Sequence, residues 1–232
     1  MKFIDTHCHI HDSEFAVKYD QSQKQILIEA RERGVAGFVC VGTDAKSSLE
    51  AISFAQSQPD CYASVAIHPH EAASMSIEQI TSEINKLDEF LSGNINDILA
   101  IGECGLDYYY HENSDVRERQ KYMLRGHIIL AIKYKLPLIF HIRNPKNDAD
   151  AEAEAGEAFM DFFTIYDEYD SISGVVHSFS ANLAALKGAL TRGLYIGLNG
   201  IMTFTKQKSQ LEAATMVPLE RLVLETDSPF LT

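Results

Sequence analysis

Short apolar runs alternate along the chain with longer stretches in which apolar residues recur every three or four positions. Eight short runs are read as strands: 3–7, 35–41, 62–67, 98–102, 136–140, 174–177, 194–198 and 222–225. Runs that are apolar throughout and bounded by turn residues suit parallel strands covered on both faces. Between them lie amphipathic helices. Ser76 with Gln79 forms a capping box, and Ile77, Ile80, Ile84, Leu87 and Leu91 then make one apolar stripe at helical spacing. Ser114 or Asp115 opens a helix that runs to about Lys135, where Pro137 forbids its continuation. Residues 23–33, 45–57, 153–168, 181–192 and 205–216 read as helices in the same way.

Strands and helices in this alternation imply an α/β fold, a (β/α)8 TIM-type barrel of eight parallel strands. A doubly wound open sheet is the alternative, and the polar residues decide between the two. His7, His9, His68, Glu103, His141, His177 and Asp227 stand at or just past the C-terminal ends of six different strands. An open sheet gathers a site at one switch point, whereas a closed barrel brings all its strand ends round one mouth. No Pro/Gly/Ser-rich linker interrupts the chain, so 1–232 is read as a single barrel domain.

Composition narrows the partners. The 232 residues include 20 Lys and Arg against 33 Asp and Glu, a net charge of −13. This excludes a wide basic face that coats duplex DNA, but leaves room for a local site that handles phosphate through bound metal. Cys8, Cys40, Cys61 and Cys104 form no Cys-x-x-Cys pair and read as reduced, buried thiols. No signal-peptide core follows Met1 and no apolar run could span a bilayer, so the expected location is cytoplasmic, with no membrane partner. The acidic and Ala-rich stretch from Asp148 to Glu157 reads as a solvated helix start or loop.

The candidate chemistry follows from the strand ends. His7 and His9 share a strand face with Asp5, and two imidazoles so placed can hold a divalent ion. Glu103 closes an apolar strand between Gly102 and Gly105, and a carboxylate can bridge two ions where imidazole cannot. His141 and His177 end two further strands and are candidate ligands. Asp227 closes the eighth, where it could bind metal and take a proton from the water it activates. Glu225 lies deeper on that face and reads as structural. Arg143 could fork onto a phosphate or make a solvent salt bridge. His68, and less so His70, could orient substrate or simply end a strand, and Asp107 could steady a ligand histidine. His11, His111 and His127 hold no strand-end position and read as surface or helix residues. Tyr108–Tyr110 reads as a packed or surface loop, with base stacking the alternative. No Gly-x-Ser-x-Gly, phosphate-binding Gly-rich loop or Gly-x-Gly-x-x-Gly supports another scheme.

Seven segments together carry a resemblance. They are Phe-Ile-Asp-Thr-His-Cys-His at 3–9, Ala-Ile-His-Pro-His at 66–70, Ile-Gly-Glu-Cys-Gly-Leu-Asp-Tyr at 101–108, His-Ile-Arg at 141–143, His-Ser-Phe-Ser at 177–180, Gly-Ile-Met-Thr-Phe at 200–204 and Leu-Glu-Thr-Asp-Ser-Pro at 224–229. In this order the chain resembles the TatD family, metal-dependent deoxyribonucleases among the amidohydrolase-like barrels. The resemblance implies a site with two divalent cations. His7 and His9 would hold one ion and His141 and His177 the other, with Glu103 between them and Asp227 on the first ion beside the attacking water. It implies DNA phosphodiesters as substrate, cut hydrolytically from a 3′ end of a single strand. Two cations about 3.5–4 Å apart would activate a water and neutralise the phosphoryl oxygens, while Arg143 and Lys206 could hold the phosphate. Four imidazoles favour Zn or Mn, although the family's nuclease action is associated with Mg.

The resemblance also marks two departures. Family members continue past the Thr-Asp-Ser-Pro motif into a loop and a final helix, whereas this sequence stops at Thr232. The expected barrel therefore lacks its final outer helix, which leaves part of its outer face uncovered. The acidic stretch after Arg143 is longer than the usual connection and would crowd the mouth with negative charge. Two rival functions remain open: hydrolysis of a small-molecule amide, lactone or phosphoester, and a non-catalytic metal-binding barrel.

Overall fold

The computed structural model of the protein describes residues 1–12, 22–146 and 154–230. Its eight strands stand side by side in chain order: β1 Phe3–Cys8, β2 Val35–Val41, β3 Cys61–Val65, β4 Ile98–Asp107, β5 Leu138–Arg143, β6 Gly174–His177, β7 Tyr195–Leu198 and β8 Leu222–Leu224. Every neighbouring pair is parallel. The ring closes just beyond β8, where the Asp227 N–H donates to His7 O at 2.9 Å and the His9 N–H to Ser228 O at 2.7 Å. This is the expected (β/α)8 barrel.

The helices among the described residues are α1 Gln23–Glu32, α2 Ala45–Ser57, α3 Ile77–Asn94, α4 Ser114–Tyr134, α5 Glu157–Tyr166, α6 Leu183–Thr191, α7 Ile201–Phe204 and α8 Lys208–Thr215. Their starts follow local chemistry. Ser22, Asp44 and Asn182 each accept a backbone N–H three residues on, and Ser76 with Gln79 completes its capping box. Asn113, rather than Ser114 or Asp115, caps α4, because its side chain already accepts the Asp115 N–H. Lys135 ends α4 in the left-handed region at φ 56°, ahead of Pro137. The helix expected from 153 begins instead at Glu157, after Gly156 at φ 87°. Residues 148–153 of the acidic stretch, and with them the expected crowding of the mouth, lie outside the described residues.

The main departure from the expected strands is β4, which continues past Gly102 as far as Asp107. Gly105 pairs with His141, and Asp107 with Arg143. A Cβ at Gly102 would overlap Ile139, and one at Gly105 would overlap the His141 carbonyl. The two glycines thus let β4 and β5 run against each other right up to the mouth. Outside the barrel wall, Phe140 packs on Phe162 of α5 at 4.8 Å between centroids. Ile80, Leu87 and Leu91 seat α3, while Ile77 is exposed in its first turn. All four cysteines are buried and free. Ile4 on β1 and Leu224 on β8 are 56% and 44% exposed. No helix among the described residues is long and apolar enough to cross a membrane.

Close approach at Gly102 makes a stability prediction. Gly102→Ala should overpack the wall against Ile139 and cost about 1–3 kcal/mol, seen as a lower midpoint with an unchanged slope in urea denaturation.

Candidate metal centre

Seven polar side chains converge where β1, β4, β5, β6 and the segments after β3 and β8 reach the mouth. Glu103 stands at the middle and is buried. Its Oε2 lies 3.5 Å from His7 Nε2. Its Oε1 lies 2.6 Å from His141 Nδ1, 3.6 Å from His177 Nε2 and 3.7 Å from His68 Nε2. Asp227 Oδ1 faces His9 Nε2 at 3.4 Å and His7 Nε2 at 3.6 Å. His7 and His9 bring their Nε2 atoms within 3.2 Å of each other, and the His7 ring stacks on His177 at 3.5 Å. The strand geometry accounts for the pattern: His7 and His9 are two residues apart on one face, with Cys8 turned outward between them into the core.

This donor set fits divalent cations. Three overlapping groups have their ligand atoms mutually close: His7, His9 and Asp227; His7, Glu103 and His177; and His68, Glu103 and His141. Two ligands at tetrahedral positions on a cation with bonds of about 2.0–2.2 Å sit about 3.3–3.6 Å apart, close to the spacings among His7, His9, Glu103 and Asp227. Among the described residues, the ion-pair partners of Glu103 and Asp227 are histidines alone. His7 Nδ1 is buried with no hydrogen-bond partner.

The charge states follow from this crowding. Burial would raise the Glu103 pKa, but His177, His141, His7 and His68 together hold it well below the usual carboxylate range. Asp227 is lowered in the same way: burial opposes ionisation, and His9, His177 and His7 overcome it. His7, fully buried beside His177, has its pKa lowered. Burial also works against charge on His141 and His177, yet neighbouring carboxylates win and lift them to about 10 and about 9.

Outside these groups lies a supporting layer. Asp107 Oδ2 receives His141 Nε2 at 2.9 Å and His70 Nε2 at 3.0 Å. Glu225 lies 2.9 Å from His177 Nδ1 through Oε1, the same atom that accepts the Ser178 N–H. It therefore bears directly on the site. Sequence reasoning read it as structural and missed this partner, since the contact joins β6 to the residue after β8. Gly197 makes the room, because any Cβ there would overlap the Glu225 carboxylate. Asp5 looks inward as expected, yet its partners are the Thr226 hydroxyl at 2.7 Å, the Thr226 N–H and the His7 N–H rather than a cation. Asp227 and Ser178 hold left-handed backbone at φ 57° and 48°, a strained setting of the kind found at functional sites.

The mouth cavity, about 540 Å3, is lined by His9, His68, His70, Arg143 and Asp227 among others. His11 is a correction: it is buried, faces Ser47 at 3.2 Å and lines the same cavity. His127 is another. It sits on α4 but is fully buried, and its Nε2 accepts the Ile67 N–H at 3.1 Å, pinning the turn that presents His68. Burial lowers its pKa to about 4, so it stays neutral and able to accept. Tyr108 is buried and donates to Asp161, whereas Tyr109 lies under the Arg143 guanidinium at 3.9 Å and Tyr110 is exposed. Arg143 thus rests on a ring and has no salt-bridge partner among the described residues. Lys206 is exposed and does not line this cavity.

Comparison with known proteins fits this arrangement. Residues 4–232 match the model of the TatD related DNase family. The chain belongs to that family. An uncharacterized metal-dependent hydrolase of Buchnera aphidicola is 32% identical over all of this chain and 80% of its own length. A protein of Erwinia tasmaniensis named 3′-5′ ssDNA/RNA exonuclease TatD is 31% identical over 93% of this chain and 77% of its own. Among solved structures, a TatD homologue from Escherichia coli K12 superposes with a TM-score of 0.78 at 27% identity, over 99% of this chain and 80% of that one. As a TatD-related DNase, the protein is a metal-dependent hydrolase acting on phosphoester bonds.

Two measurements test the centre. In chelated protein, His141 and His177 bind protons more tightly folded, near pH 10 and 9, than at their ordinary 6.5. Their contribution is complete below about pH 6.5 and lost as pH rises through 9 to 10. The melting temperature of metal-free protein should therefore fall over that window, and zinc should flatten the fall by replacing the protons. Separately, Glu225→Gln should weaken zinc binding about 10–100-fold in a competition titration against a chromogenic chelator, with the fold retained by circular dichroism.

Proposed function

We propose that this TatD-related enzyme is a 3′-5′ exonuclease on single-stranded DNA, working at a dinuclear divalent-metal centre. The observation that carries the reading is Glu103, a buried carboxylate with histidines on both its oxygens and the Asp227 cluster beside it. The name of the Erwinia tasmaniensis relative supports the strand type and direction. His7, His9 and Asp227 would hold one ion and His141 and His177 the other, with Glu103 between them. Bound cations would supply an activated water and neutralise charge developing on the phosphoryl group.

The chain's own residues divide the remaining work. Asp227 retains 15% side-chain exposure against 6% for Glu103. Asp227 can therefore reach a water in the cavity and accept its proton, while Glu103 stays fixed as a ligand. His68 stands on the cavity wall with its pKa lowered to about 3 by burial, so it is neutral and meets substrate as a hydrogen-bonding group rather than a charge. Arg143, its guanidinium 3.9 Å from the Tyr109 ring centre, offers the scissile phosphate its N–H groups. Imidazole-rich donors favour tight Zn or Mn, and turnover with Mg is compatible with a weaker second occupant.

The test strips metal with chelator and restores Mg, Mn or Zn separately against 3′-labelled single-stranded DNA. Restored release of nucleotides is expected. Asp227→Asn and Glu103→Gln should each lower it about 10²–10⁴-fold while circular dichroism shows the barrel intact. Wild-type rates in both variants would refute the assigned roles. Release of no nucleotide with any ion would transfer the centre to a small-molecule ester or amide.

A further inference from the structure

Beyond Arg143 the mouth opens into a second cavity, of about 440 Å3. The two cavities share Ile142, Arg143 and Ser180 in their walls, and only the first contains the metal-binding groups. Among the described residues they also differ in charge. The first is lined by five carboxylate residues, including Glu103, Asp107 and Asp227. The second has no carboxylate among its described lining residues, although the protein carries a net charge of −13.

Two cations stand at this second cavity. The Arg143 guanidinium lies 3.9 Å from the Tyr109 ring centre, and Lys146 Nζ lies 4.8 Å from the same centre. Elsewhere Arg31, Arg117, Arg125 and Arg192 are each paired with a carboxylate. Arg143 and Lys146 have no such partner among the described residues. An aromatic face holds a cation in place by its quadrupole without neutralising it, so the N–H groups remain available to an anion. The order of the two is informative: Arg143 borders both cavities, while Lys146 borders only the second. Amide side chains of Asn182, Gln207 and Gln210 complete the wall. The volume falls within the range of small-ligand pockets, about 300–1,000 Å3, and suits one nucleotide.

We propose that the second cavity binds the nucleotide on the 5′ side of the bond being cut, with Arg143 on the scissile phosphate and Lys146 on the next phosphate towards the 5′ end. The strand then crosses the end of β5 to reach the metals, and the released 3′ nucleotide occupies the first cavity. This inference rests on the nuclease reading above and adds a direction and a second phosphate contact to it.

The test uses the full chain with manganese and two substrates, a thymidine dinucleotide with and without a 5′-phosphate. In the wild type the 5′-phosphate should raise kcat/KM about tenfold. Lys146→Ala should abolish that gain, Lys146→Arg should keep it, and Lys146→Glu should turn it into a penalty. An equal gain in wild type and Lys146→Ala, or cleavage of both dinucleotides with no gain in the wild type, would overturn the subsite and leave the nuclease reading standing. Cleavage of neither dinucleotide, alongside hydrolysis of bis(p-nitrophenyl) phosphate, would overturn the nuclease reading and the subsite with it.

Discussion

A carboxylate sealed among imidazoles is the constraint around which this barrel is arranged. Glu103 is buried, and a buried charge is tolerated only when it is paired. Four histidines drawn from β1, β5, β6 and the turn after β3 supply that pairing. None of them belongs to β4, so no local segment can satisfy Glu103. The ring must close before the charge is accommodated, and the same closure assembles the donor set. Stability and chemistry therefore draw on one cluster. Cations are the natural occupants, since the histidines alone neutralise the site only while protonated.

Much of this was legible in the sequence. Apolar runs of strand length separated by helical stripes identify the eight strands within a few residues, because each strand is covered on both faces and each helix on one. The strand-end position of His7, His9, Glu103, His141, His177 and Asp227 brings them to one rim as soon as the ring is closed. What sequence order hides is any contact between distant strands that no periodicity encodes. Glu225 meets His177 across the barrel only because Gly197, on β7 between them, has no side chain. His127 looks like an ordinary helix residue until the depth of α4 against the end of β3 is known. The extension of β4 to Asp107 depends on two glycines whose value appears only when β5 is beside them.

Electrostatics divide the mouth into two territories. Carboxylates crowd the side that would hold cations, and Arg143 and Lys146, resting on Tyr109 with no carboxylate partner among the described residues, border the other. For a polyanion approaching a protein of net charge −13, Arg143 and Lys146 offer local positive charge at the end of β5. Local charge placement, rather than overall charge, thus governs how such a barrel meets nucleic acid.

The backbone bond from Asp227 to His7 O joins groups at opposite ends of the described chain. It closes the ring and at the same time sets Asp227 against His7 and His9. Five of the six donors precede β7 in the chain, and the sixth, Asp227, comes only after β8. The last donor and the closing hydrogen bond are therefore delivered by the same few residues, so the donor set is complete only in a closed ring.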